Sequence, residues 1–225
     1  GVKSVIGHAM GSQVGYVADG IFKSQDEIDN HATQEGAALG RIRWKDLNND
    51  GKITEADQEW IYDPTPDFTY GFNIYLEYKN FDFTAFFQGV QGVDIISDLK
   101  KETDIWAGLN IGFLNKGRRL LDAWSATNPN SNIPAVSLSD NNNEKRVSSY
   151  WVENGSYLKL RTVQIGYNAP KSFAQKLAME RLRFYLSAQN VFTIKSSSFT
   201  GVDPENPNYG YPIPLNITFG LNVTF

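Results

Sequence analysis

The chain has 225 residues, a formal net charge of −4 and no cysteine. The mild acidity, with no Lys/Arg-rich block, argues against a nucleic-acid partner, and the lack of cysteine excludes a disulfide framework, a thiolate metal site and a cysteine nucleophile. Aromatics are abundant, with 14 Phe, 11 Tyr and 5 Trp, yet apolar runs fall far short of the roughly 20 residues a membrane helix needs. A low mean hydropathy leaves a membrane β-barrel open, because about half of each barrel strand faces a polar lumen. The first residues, "GVKSVIGHAMGSQ", lack the pattern of a signal peptide, and the missing start Met points to a processed chain or an internal fragment.

Residues 1–66 read as a folded but irregular region with little regular structure. "SQDEIDN" at 24–30 places a Ser before acidic residues, a helix start. "DLNNDGKITEAD" at 46–57 fits the D-x-N-x-D-G pattern of a calcium loop. Asp46, Asn48 and Asp50 would supply side-chain oxygens and Lys52 its carbonyl. Thr54 stands near the ninth position, Asp57 at the twelfth, and Gly51 allows the sharp turn. Asp57 replaces the usual bidentate Glu, with Glu55 nearby. The alternative is an Asx-rich turn with no metal. Pro64 and Pro66 close the region.

Residues 68–78 alternate without a break: Phe68, Tyr70, Phe72, Ile74, Leu76 and Tyr78 share one face. A short turn at Lys79 and Asn80 leads into a second strand, 81–90, and the pair is a hairpin. Residues 91–156 break the pattern, with short helices expected in "DIISDLKKETD" and "GRRLLDAW". A connection that long is usually functional. Alternation resumes at 157–168 but changes parity between Leu160 and Val163, which a bulge, or a strand passing from one environment to another, would explain. A Pro-started helical turn follows in "PKSFAQKLAME", then strands at 182–193 and 216–225, separated by a Gly/Pro/Asn-rich loop at 194–215.

These strands run ten to twelve residues, the length of about 9–11 that crosses a bilayer and longer than the usual 5–6 of a soluble sheet. Short connections after 78 and 168 alternate with long ones after 90 and 193. The reading is therefore all-β, with antiparallel transmembrane β-barrel strands and long extracellular loops at 91–156 and 194–215. The segment before residue 68 is extracellular too. Five strands cannot close a barrel, for which about eight are needed, so the chain should belong to something larger. A secreted, calcium-stabilised β-sandwich that binds glycans is the alternative. A β-rich glycoside hydrolase lacks a placed acid pair.

"GYVADGIFKSQDEID", "GRIRWKDLNNDGKIT", "PDFTYGFNIYLEYKNFDFTAFFQGVQG", "YWVENGSYLKLRTVQIGYNAPKSF", "LRFYLSAQNVFT" and "TFGLNVTF" together resemble the C-terminal part of SusC/RagA-family TonB-linked outer-membrane transporters. Each piece is weak alone; in this order they cover nearly the whole chain. The resemblance implies an outer-membrane barrel of about 22 strands with an N-terminal plug. It also implies a TonB-contacting segment, and a SusD-like surface lipoprotein that acts as a lid during uptake of oligosaccharides or peptides. The plug and the remaining strands would be the chain's own partners, with lipid around them.

The loop aromatics Trp106, Trp124, Tyr150, Trp151, Tyr209 and Tyr211 suit either loop packing or contact with sugar rings or the lipoprotein. His8 and His31 have no partner at metal or triad spacing and read as surface residues. Arg118 and Arg119 read as solvated charges. Terminal Phe225 resembles the signal read by the barrel-assembly machinery, and is equally one more lipid-facing aromatic. No catalytic motif appears, so no enzymatic role is expected.

Overall fold

A computed structural model of the chain describes residues 5–103, 117–137, 140, 142–207 and 211–225. In chain order the strands are β1 (Gln13–Tyr16), β2 (Ala18–Ile21), β3 (Ile42–Trp44), β4 (Gln58–Tyr62), β5 (Phe68–Tyr78), β6 (Phe81–Gln91), β7 (Asp94–Ile96), β8 (Val152–Asn154), β9 (Tyr157–Asn168), β10 (Arg181–Lys195) and β11 (Asn216–Thr224). Three short helices, α1 (Gln25–Asp29), α2 (Asp98–Thr103) and α3 (Lys171–Lys176), accompany them. Two compact units result, one built chiefly from Gly1–Thr65 and Asp94–Asn154, the other from Pro66–Val93, Gly155–Asn206 and Gly210–Phe225.

The first unit is more regular than its sequence suggests. β1 pairs with β4, β2 with β3 and β7 with β8, all antiparallel. These strands hold only three to five residues, too few for alternation to show, and β1 finds its partner more than forty positions away. The helix start at Ser24 is present: its hydroxyl accepts the Glu27 N–H, and Asp26 and Glu27 occupy the first turn of α1. The core gathers Ile42, Trp44 and Trp151, with Tyr16, Ile53, Ile96 and Tyr150 against it. The return limb of the 91–156 connection thus completes a core begun a hundred residues earlier. Asp63 and Asp94 hold each other through two bonds: the Asp94 N–H donates to the Asp63 carbonyl at 3.0 Å and the Asp63 N–H to the Asp94 carboxylate at 2.9 Å.

The second unit is one antiparallel meander of five strands in the order β5-β6-β9-β10-β11. Lys79 takes the left-handed backbone (φ 53°) in the two-residue turn between β5 and β6. The change of parity in β9 is a bulge: Phe86 faces Thr162 while Phe87 faces Leu160, leaving Arg161 extra. At the same height β10 carries the unpaired Asn190 and Val191, with Asn190 at φ 55°. Beyond the bulge Leu158 and Leu160 share the apolar face with Val163 and Ile165.

Strand pairing sorts that face into rows. From the short-turn end the rows are Tyr78, Phe81, Tyr167, Phe184 and Leu221; Leu76, Phe83, Ile165, Leu186 and Phe219; Ile74, Ala85, Val163, Ala188 and Ile217; Phe72, Phe87, Leu160 and Phe192; then Tyr70, Gly89, Leu158 and Ile194, with Phe68 last. Aromatics dominate the short-turn row and recur toward the other end, with one wholly aliphatic row between. Phe68 to Tyr78 is about 33 Å along the strand, which projects to about 25 Å at a tilt of roughly 40°. Phe72, Leu76, Tyr78, Ile165, Leu186, Ile217 and Phe219 are all exposed. The other face is polar, presenting Glu77, Asp82, Thr84, Gln164, Arg183, Ser187 and Thr218.

Candidate functional site

Loop 46–57 is built from its own side chains. Asn49 (φ 59°) and Gly51 (φ 80°) take left-handed conformations, which tightens the turn. The Asp46 carboxylate accepts the N–H groups of Asn49 at 2.8 Å and Gly51 at 2.9 Å, Asn48 Oδ1 accepts that of Asp50, and Asp50 Oδ1 that of Lys52. Asp57 is buried. Its Oδ1 accepts the Leu47 N–H at 3.0 Å and its Oδ2 the Thr54 N–H at 2.7 Å. Burial alone would push its carboxyl up; the backbone donors of Thr54, Leu47 and Asn48, with the Thr54 hydroxyl, outweigh this and hold it below the usual carboxylate range. Thr54 and Asp57 also form a capping box over residues 55–57. Asp46, Asn48 and Asp50 thus lie on the exposed lip of the loop with lone pairs to spare, while Asp57 is engaged beneath it. Among the described residues no three His, Asp or Glu side chains converge as metal ligands.

A buried polar junction forms against β3. Glu144 takes the Arg41 guanidinium at 2.8 Å, the Ile42 N–H at 3.0 Å and the Asn142 amide at 3.3 Å. Gln34 bridges the Ile42 carbonyl, the Trp44 N–H and Asn142. The sequence offers no sign of this junction, since its members are about a hundred positions apart.

A second cluster sits on the polar face of the five-stranded sheet. Lys159, only 1% exposed, places its ammonium 2.8 Å from Asp203 and 2.5 Å from Glu205. Arg161, the bulge residue, forks onto Glu205 and reaches Gln88 at 2.8 Å, and the Tyr157 hydroxyl donates to Glu205 at 2.6 Å. The turn at 203–206, on the 194–215 connection, is thereby fastened to β9. Burial works against ionisation of Glu205, but Arg161, Lys159 and Tyr157 together pull its carboxyl down to about 2. The sign follows: a depressed carboxyl contributes stability that is complete above its unfolded range near 4.5 and is lost as pH falls toward 2. Proteolysis within 196–206 should therefore stay slow at neutral pH and rise below about pH 4. Lys159→Met, which leaves two carboxylates against one guanidinium, should release the turn at neutral pH, a local loss of about 3 kcal/mol read by hydrogen exchange. Toward the short-turn end, Arg183 grips Asp82 at 2.5 and 3.0 Å across Gly166, where a Cβ would lie about 2.5 Å from both partners.

The aromatics divide. Trp151 is core, 4% exposed, with its indole N–H on the Glu144 carbonyl, the packing alternative of the two readings. Tyr150 lies half-buried against that core, under the Lys100 ammonium. Trp124 covers Gly40, where a Cβ would come within 2.4 Å of its ring. Tyr211 is almost fully exposed. Trp106 and Tyr209 lie outside the described residues. His31 is not a free surface residue: its ring bonds the Trp44 carbonyl at 2.9 Å and stands edge-on to Phe22. His8 is exposed but stacks on Trp60 at 3.7 Å. Arg118 is exposed, as is Phe225, just past the end of β11.

No family model matches the chain. Among curated proteins it is similar to TonB-dependent receptor P3 of Formosa agariphila, 36% identical over 97% of this chain and 22% of that protein. TonB-dependent receptor P26 of the same organism is 33% identical over 98% of the chain and 23% of its own length. TonB-dependent receptor SusC of Bacteroides thetaiotaomicron is 27% identical over 95% of the chain and 20% of its own. The fold matches a solved structure of the RagAB peptide importer in its open-open state, with a TM-score of 0.71 at 24% identity over 95% of this chain and 22% of that one. The closed-closed state gives 0.69 at 23% identity. The chain thus spans under a quarter of the length of the relatives it matches. Sequence and fold agree: the chain is similar to a stretch of TonB-dependent receptors, SusC among them, and shares its fold with a part of the RagAB peptide importer.

Proposed function

We propose that this chain is a stretch of the barrel wall of a TonB-dependent importer in a bacterial outer membrane. The observation that carries the reading is the sheet's exposed apolar face, rich in aromatics with its densest aromatic row at the short-turn end and an aliphatic row near its middle, backed by a polar face. A soluble sandwich would cover such a face with a second sheet, whereas Ile217 and Phe219 here are wide open. On this reading the long connections after β6 and β10, which share one side of the antiparallel sheet, face outward and the shorter ones after β5 and β9 face the periplasm. The cargo class is oligosaccharide or peptide, and a SusD-like lipoprotein is the partner on the outer side. SusC and the RagAB peptide importer among the similar proteins support this. The relatives are receptors and importers, in keeping with a role in uptake and not in catalysis. The full-length protein should fractionate with outer membranes, leave them only with detergent, and run faster on gels when unheated. A full-length protein soluble without detergent would sink the reading.

Loop 46–57 is proposed as a calcium site, with Asp46, Asn48, Asp50 and the Lys52 carbonyl as ligands and Asp57 closing it from below. Its role would be to stiffen the loop. At a calcium level of a hundred times Kd, local protection should rise by about 2.7 kcal/mol, measured by hydrogen exchange at 46–57. It should vanish with chelator and in Asp46→Ala. Equal exchange with calcium and with chelator would leave only the Asx-rich turn.

A further inference from the structure

We propose that α3 is an interfacial anchor, lying in the phospholipid headgroup zone of the leaflet at the short-turn end of the sheet. The inference rests on the membrane reading above and adds a contact that reading does not require. α3 belongs to the β9–β10 connection, at the end of the sheet where Tyr78, Phe81, Tyr167 and Phe184 form the aromatic band. It packs on β10. Leu182, on the apolar face by alternation with Phe184 and Leu186, is 4% exposed, unlike most of that face, and Ala174 of α3 is 1% exposed. The buried pair puts α3 on the apolar side of the sheet, over Leu182. Phe173 and Leu177, four positions apart and so on one helix face, are then turned away from the sheet, 50% and 48% exposed.

In water two large apolar side chains held half-exposed on a six-residue helix and its C-cap are unfavourable relative to burial. At a membrane interface they continue the aromatic band. Lys171 and Lys176 flank them with stems long enough to reach phosphates. Beside the helix Lys171 and Gln175 also line a hollow of about 550 Å³ with Asn168, Glu180, Arg181 and Thr224; Arg181 shares the strand parity of Arg183, so this hollow belongs to the polar side of the sheet and takes no part in the anchor. A helix this short has no stability of its own; packing on β10, with Ala174 buried, supplies it, and the Met179 N–H on the Ala174 carbonyl closes its C-terminal end.

The segment has no cysteine, so single Phe173→Cys, Leu177→Cys, Ile217→Cys and Ser198→Cys variants of the full-length protein, with any cysteine elsewhere replaced, can each carry an environment-sensitive fluorophore. The protein is refolded into phosphatidylethanolamine/phosphatidylglycerol vesicles that hold nitroxide at the headgroup or mid-chain. Labels at 173 and 177 should emit blue-shifted and lose intensity to the headgroup nitroxide more than to the mid-chain one; the label at 217 should show the reverse. If 173 and 177 respond only to aqueous quencher, as 198 does, while 217 stays lipid-quenched, α3 is not in lipid and the proposal falls with the barrel reading intact. If 217 is also reached only from water, the barrel reading itself falls, and the anchor with it.

Discussion

Ile217→Arg should cost the full-length protein about 2–4 kcal/mol when it is refolded into phospholipid vesicles and unfolded with guanidinium. Ile217 sits in the central aliphatic row and is 67% exposed. A polar substitution at so exposed a site on a water-facing surface would change stability by no more than about 0.5 kcal/mol. The two environments therefore predict outcomes that differ several-fold. Thr218→Arg is the control: it shares the strand and almost the same depth but points to the polar face, opposite Ser187, and should be nearly neutral. Equal small effects at 217 and 218 would mean that the apolar face does not meet lipid.

Glu144→Ala should be the most damaging single change in the first unit. It strands the Arg41 guanidinium, itself mostly buried, and removes the acceptor of the Ile42 N–H and the Asn142 amide. Breaking a buried pair from one side costs about 3–5 kcal/mol. The loss should appear as faster hydrogen exchange across 34–44 and 142–151, with the five-stranded sheet unaffected. Glu144→Gln, which keeps an acceptor, should lose less. If the pair is replaced together, as Arg41→Met with Glu144→Leu, much of the stability should return. A double variant as weak as Glu144→Ala would show that the amide bonds, not the charge, hold the junction.

The strands of the sheet were legible because each runs through a long, half-apolar surface, so period two survives over nine to fifteen residues. Even the bulge at Arg161 showed as a change of parity. The first unit was not legible, for a different reason. Its strands are too short to carry a period, and its junction joins Arg41 to Glu144 across a gap that no local pattern spans. Packing and contact could not be told apart for Trp151, and His31 was taken for a surface residue, for the same reason: what buries an aromatic in a loop is its distant neighbour. The Lys159–Glu205 cluster was half visible. Lys159 and Arg161 stand out on a strand and Asp203 and Glu205 in a loop, but nothing short of the fold says that they meet.

The bond pair between Asp63 and Asp94 has a consequence for how the hairpin of β5 and β6 can err. Those two residues flank the whole hairpin, which leaves after Thr65 and returns by Asp94. A free hairpin with period-two faces can slide by one residue, which would turn Phe72, Ile74 and Leu76 to the opposite side. Closing the base fixes the length of both limbs, so a slip on one strand would have to be absorbed by breaking the clasp or remaking the turn at Lys79. Loosening the clasp, for instance by Asp94→Ala, should therefore show itself not first as unfolding but as mispaired, off-pathway product during assembly.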